Sequence, residues 1–166
     1  MSHFIQQGKV WRYGSNIDTD AIIPGRYCHL TDPAELARHC FKDLDPEFAK
    51  GVRRGDVIVA GSNFGCGSSR EIAPVAIKAA GICCVVAVNF ARIFFRNAIN
   101  IGLPIFEIPE APEVFKSKDP IQVDLRRGLI RNLRDNSVLQ ATPFPDFIQE
   151  IIRAGGLMAY IKQRLG

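Results

Sequence analysis

The chain has 166 residues, 47% hydrophobic and 23% charged, a composition that suits a globular fold with a sizeable core and excludes a low-complexity chain. A net charge of +4 is too mild to argue for nucleic acid, though it is compatible with small acidic ligands. No run of about 18 apolar residues marks a membrane span, and residues 1–10 lack the basic and apolar regions of a secretory signal, so a cytoplasmic single domain over 1–166 is expected.

Residues 9–13 (Lys-Val-Trp-Arg-Tyr) read as a first strand. Residues 16–20 are polar and turn-prone. Asp18 and Asp20 suit a turn at least as well as a cation site, because two carboxylates without further oxygen ligands are weak evidence for calcium. Ile22 and Ile23 close a short apolar element before Pro24-Gly25. Arg26 follows that turn and can reach out of a loop or be merely solvated. Tyr27, Cys28, His29 and Leu30 continue the loop, where an exposed His29 is favoured over a ligand or base. Thr31 or Asp32 can cap a short helix through Leu36, with Pro33 well placed at its first position. Asp45-Pro46-Glu47 starts another short helix, and residues 52–55 turn into the next strand.

The centre of the chain is residues 56–81. Asp56-Val57-Ile58-Val59-Ala60 reads as a buried strand, and Ile72, Val75, Ala76 and Ala79 form one face of a helix that Gly81 ends. Between them runs Gly61-Ser62-Asn63-Phe64-Gly65-Cys66-Gly67-Ser68-Ser69-Arg70-Glu71. A strand, a glycine-rich loop and a helix start outline an anion site, because glycines let the backbone approach a ligand and the first helical N–H groups lack partners. Two hydroxyls and a guanidinium fork stand together at Ser68, Ser69 and Arg70. The competing reading is a capping box, Ser68-x-x-Glu71. Pro74 argues against a regular helix from Ser68 and moves the start nearer itself, leaving 68–71 as an irregular turn. A dinucleotide fingerprint lacks its third glycine, and a P-loop lacks its lysine.

Residues 82–88 read as a second buried strand, which makes strand, helix and strand a parallel βαβ unit. A helix follows over 92–101, stopped by Gly102. Its Arg92, Arg96, Asn97 and Asn100 are either a solvated stripe or a polar rim beside the anion site. Residues 103–108, 121–125, 129–130 and 138–139 read as strands. Phe147, Ile151 and Ile152 mark a helix ended by Gly155-Gly156, and 157–165 a closing helix. The expected product is a mixed α/β sheet with flanking helices and a β-rich C-terminal part.

The five cysteines are Cys28, Cys40, Cys66, Cys83 and Cys84. An odd count without a signal peptide fits a reduced chain. None forms a Cys-x-x-Cys pair, so neither a zinc nor a cluster site is expected. Cys83 and Cys84 read as core. Cys66 is the one candidate for reactivity, against a plain role as small filler.

Residues 65–71 resemble the Gly-Ser-Ser-Arg-Glu signature of the aconitase superfamily, and more closely its 3-isopropylmalate dehydratase small-subunit family, in the archaeal, homoaconitase-like type. Residues 16–27 (Asn-Ile-Asp-Thr-Asp-Ala-Ile-Ile-Pro-Gly-Arg-Tyr) resemble that family's first signature and residues 90–104 its third, in the same order and spacing. The resemblance spans residues 8–164 and implies a swivelling β/β/α domain, like the aconitase C-terminal domain. It further implies a hydro-lyase subunit that interconverts 2- and 3-isopropylmalate in leucine biosynthesis, by dehydration and rehydration. Ser68 matches the base, Ser69 and Arg70 match substrate contacts, and Arg26 joins them. The loop Tyr27, Cys28, His29 and Leu30 matches the one that helps choose the substrate. The resemblance implies no metal or cofactor in this chain. It places a [4Fe-4S] cluster in a large-subunit partner, within a heterodimer or heterotetramer.

Two positions depart from many relatives: Ile72 where they have His, and Val88-Asn89 where they have Lys-Ser. Loop 27–30 matches neither of two known substrate variants. Related dehydratases of 2,3-dimethylmalate, methylmalate or citraconate, or homoaconitate therefore stay open as alternatives. So does a stand-alone anion-binding regulatory module. The loop has no arginine for a third carboxylate, which favours a medium apolar substituent.

Overall fold

The computed structural model describes residues 4–166. Its middle strand is β1 (Ile5–Arg12). On one side lie β2 (Val57–Ala60), β3 (Cys84–Ala87) and β4 (Ile105–Glu107), each parallel to its neighbour. On the other side β5 (Pro120–Asp124), β6 (Leu129–Asn132) and β7 (Val138–Gln140) continue antiparallel. The sheet is therefore mixed, with the order β4-β3-β2-β1-β5-β6-β7.

Every residue of β2 and β3 is buried. The side-chain period of two sends Ile58, Ala60, Val85 and Ala87 into one core and Val57, Val59, Cys84 and Val86 into another. Apolar groups are needed on both faces, which is why both strands read as continuous apolar runs rather than alternating ones. The first core is aromatic: Trp11, Tyr13, Phe41, Phe48, Phe64 and Phe94. Buried Asp56 ties β1 to the start of β2, accepting from Trp11 Nε1 at 2.9 Å, Lys9 N at 3.0 Å and Arg53 N at 2.8 Å. A carboxylate at such depth needs that many donors to offset lost hydration.

Eight helices border the sheet among the described residues: α1 (Thr19–Ile22), α2 (Pro33–Arg38), α3 (Pro46–Gly51), α4 (Ile72–Ala79), α5 (Arg92–Asn100), α6 (Ala111–Val114), α7 (Asp146–Ala154) and α8 (Leu157–Leu165). Pro33 and Pro46 stand in the first turns of α2 and α3. Asp32 occupies the N-cap of α2 but makes no side-chain cap bond. Pro74 falls in the first turn of α4, where its missing N–H removes no intrahelical bond. Residues 68–71 are accordingly a non-helical turn. The capping box does not form: Glu71 itself is the N-cap of α4, and no side chain caps it.

Four expectations need correction. The first strand begins at Ile5, four residues early, because β5 pairs with Ile5 to Lys9 and gives Gln6, Gln7 and Gly8 a sheet partner that their own pattern does not advertise. The apolar element at Ile22-Ile23 is the end of helix α1, started by Asp18, whose carboxylate accepts from Ala21 N at 2.7 Å. Residues 25–27 are a 3-10 turn rather than open loop. Helix α6 lies where no element was expected; its Pro112 carbonyl accepts from Arg12 Nε at 3.0 Å.

Candidate active site

The glycine loop leaves the C-terminal end of β2, beside the C-terminal end of β3. Open parallel sheets bind ligands at that edge. Short backbone ties shape the loop. Gly65 N donates to Ile17 O at 2.7 Å, Thr19 N to Cys66 O at 2.8 Å, and Ala91 N to Phe64 O at 2.9 Å. Asn89 holds it twice: its Oδ1 accepts from Asn63 N at 2.6 Å, and its carbonyl accepts from Phe64 N at 3.2 Å. Gly65 has φ +83°, and a Cβ there would stand 2.3 Å from Phe94 Cγ, so only glycine lets α5 approach this closely.

A cavity of about 170 Å³ opens between this loop and the start of α5. Ser68, Ser69, Arg70, Arg92 and Asn97 give it polar groups, and Ile93 and Phe94 an apolar side. Ser68 and Ser69 are exposed. Thr19 Oγ1 donates to Ser68 O at 2.8 Å and fixes the backbone under the Ser68 hydroxyl. The backbone N–H groups of Gly67, Ser68 and Ser69 have no backbone acceptor among the described residues. Three N–H groups open to solvent, two hydroxyls and two guanidiniums can hold a small anion and can stabilise a developing oxyanion.

Arg70 is held from below. Its Nη1 donates to Asp20 Oδ1 and to Ile23 O, both at 2.9 Å, which leaves Nε and Nη2 uncommitted among the described residues. That free edge is the one that meets a carboxylate bidentately. Asp20 also accepts from Gly25 N at 2.9 Å, and the Arg70 hydrogen bond, with this second one, holds its carboxyl below the usual aspartate range.

The residues expected to act together divide into two groups. Ser68, Ser69 and Arg70 converge on the cavity, and Arg92 and Asn97 of the expected polar rim join them, whereas Arg96 and Asn100 do not line it. Arg26 lies outside the lining, locked to Asp43 by bonds of 2.8 and 2.6 Å. Tyr27 stacks on His39 with ring centroids 3.9 Å apart, Cys28 and His29 are exposed, and Leu30 packs against the aromatic core. Thr19 and the pairing role of Asp20 were missed in the sequence. Their only signal is the Asp-Thr-Asp triplet, which reads as a turn.

The chain compares closely with known proteins. The Aconitase C-terminal domain family matches residues 41–111, a stretch that holds both the glycine loop and the start of α5. The 3-isopropylmalate dehydratase small subunit of Moorella thermoacetica is 60% identical over 161 residues, covering 97% of each chain. That of Ruminiclostridium cellulolyticum is 58% identical, covering 96% of this chain and 98% of its own. The chain belongs to the 3-isopropylmalate dehydratase small-subunit family. The crystal structure of the family's member from Methanocaldococcus jannaschii superimposes with a TM-score of 0.90 at 47% identity, over 96% of this chain and 95% of that one. The fold is therefore that of the aconitase C-terminal domain, a swivelling β/β/α domain.

As a family member the chain is a hydro-lyase subunit. Among its described residues no three His, Cys, Asp or Glu side chains gather to hold a metal ion. Cys83 and Cys84 sit before and at the start of β3, and buried Cys40 has its thiol pushed up by desolvation, so these residues do not fit an iron–sulfur cluster. No described helix is long and apolar enough to cross a membrane.

Proposed function

We propose that this chain, acting as one unit over 1–166, completes the active site of a cytosolic 3-isopropylmalate dehydratase by lending a base and a carboxylate clamp to a large subunit. Interconverting 2- and 3-isopropylmalate moves a hydroxyl between neighbouring carbons. A proton leaves the carbon next to a carboxylate, the hydroxyl leaves as water, and water adds back to the alkene in the opposite sense. The observation that carries the reading is the convergence of Ser68, Ser69, Arg70 and Arg92 on one small cavity.

Ser68 takes the proton at Oγ. A serine is a base only if its alkoxide is stabilised. We assign that stabilisation to Arg92, the N–H groups of 67–69 and the uncommitted edge of Arg70, with Arg70 and Ser69 also holding the malate carboxylate. The [4Fe-4S] cluster is assigned to the large subunit, where the resemblance implies it, in keeping with a sequence that has no Cys-x-x-Cys pair. For the substituent, an isopropyl group is favoured over a third carboxylate. Arg26, the one arginine at the edge of loop 27–30, pairs with Asp43 at the surface and lies outside the cavity lining.

The test is reconstitution with the cognate large subunit. Interconversion of the two isopropylmalates is expected from the pair and from neither subunit alone. Failure of the pair to gain hydratase activity would leave the stand-alone anion-binding module as the better reading.

A further inference from the structure

A second cavity, of about 640 Å³, opens at the opposite end of the sheet. It lies where the chain enters β2, β3 and β4, beside Gly55, Cys83 and Pro104, and where α4 ends at Ala79. The active-site loop leaves the other ends of these strands, so the two cavities do not share a lining residue. Small-molecule sites span about 300–1,000 Å³, so this one has room for a complete organic ligand.

The charge of the lining is one-sided. Arg54, Lys78, Arg126 and Arg153 contribute to it, and no Asp or Glu does. Among the described residues none of the four makes an ion pair. Lys78 is committed elsewhere: its Nζ donates to Ile101 O at 2.7 Å and Gly155 O at 3.5 Å, answering carbonyls at the ends of α5 and α7. Burial lowers its pKa, as expected for an ammonium held off from water. Among the described residues the guanidiniums of Arg54, Arg126 and Arg153 answer no carbonyl or carboxylate. Arg126 and Arg153 both lie against the ring of Phe4, at 5.6 and 5.1 Å from its centroid. Both side chains are exposed, and an anion that meets both guanidiniums gains two charge-assisted contacts. The C-terminus of α4 opposes an anion with about half a charge, which three guanidiniums outweigh. Leu125, Phe144 and Ile152 add apolar wall.

We propose that this cavity binds an organic anion with an apolar or aromatic body, its charged head on Arg54, Arg126 and Arg153 and its body against Leu125, Phe144 and Ile152.

The test uses calorimetry on the full chain, alone and joined to its large subunit, with anilinonaphthalene sulfonate as the anionic probe and uncharged phenylnaphthylamine as its control. The sulfonate is expected to fill one site per chain. An Arg126→Ala/Arg153→Ala double variant weakens it by about tenfold or more, the loss typical of charge-assisted hydrogen bonds. Arg126→Lys/Arg153→Lys keeps the charge but loses the planar fork, so it recovers only part of the loss, and Arg92→Ala at the other cavity leaves the probe's affinity unchanged. Arg54→Ala repeats the loss from a different element, which guards against misfolding of the double variant. Three results would overturn the proposal: undiminished binding to both alanine variants, equal affinity for the uncharged amine, or loss of the probe when the large subunit binds.

Discussion

Arg70 and Asp20 are fifty positions apart in the chain and 2.9 Å apart in the fold. The pair joins the first signature to the glycine loop, and with Ile23 O it fixes the direction of the guanidinium fork. Asp20 does not itself line the cavity and acts through Arg70, so it is a positioning residue. Asp20→Asn keeps the shape and removes the charge. It is expected to raise KM about tenfold, the worth of one charge-assisted hydrogen bond, with a smaller fall in kcat. A merely structural role would lower the melting temperature and leave the KM-to-kcat split unmoved.

The same pair makes a pH prediction. Asp20 is held below the usual aspartate range, first by the Arg70 hydrogen bond and then by Gly25 N. A lowered folded-state pKa means the pair is complete above the ordinary aspartate value and is lost as pH falls through the lowered one. The carboxyl carbon of Asp20, followed by NMR, should therefore titrate below the ordinary value of about 3.9. Arg70→Ala should move the midpoint upward. An unmoved midpoint would show that Arg70 is not the cause.

Gly65→Ala tests the packing of α5 on the loop. The substitution combines φ +83° with a Cβ only 2.3 Å from Phe94 Cγ. Left-handed strain and overpacking together should cost about 2–5 kcal/mol in urea unfolding. A loss under about 1 kcal/mol would mean the loop can shift freely, against the close approach described.

Loop 27–30 and Arg26 make a prediction about substrate. Arg26 pairs with Asp43 outside the cavity lining, and Tyr27 is stacked on His39. The reconstituted complex should prefer isopropylmalate to homoaconitate in kcat/KM. Dimethylmalate should lie within about 10–200-fold, the range open to small apolar differences. A clear preference for the tricarboxylate would overturn this use of the loop.

The sequence carried some of this architecture and not the rest, for physical reasons. Strands β2 and β3 were legible because burial on both faces demands unbroken apolar runs. The break at 68–71 was legible because proline restricts where a helix can begin. The first half of β1 was not, since Gln6, Gln7 and Gly8 have no alternation and owe their strand to β5. Helix α1 was hidden because Ile22, and Ile23 just after it, favour strands in isolation. Within the site, Ser68, Ser69, Arg70 and Arg92 were visible as local motifs. The Asp20–Arg70 pair was invisible, because nothing local encodes a contact across fifty positions.

The central claim is that Ser68 is the base. The most direct measurement is kcat of the complex carrying Ser68→Ala, with KM and subunit assembly measured on the same sample. Loss of a positioned base is expected to lower kcat about 10²–10⁴-fold, while assembly stays intact and KM changes little. A complex that assembles normally and keeps near wild-type kcat would contradict the assignment.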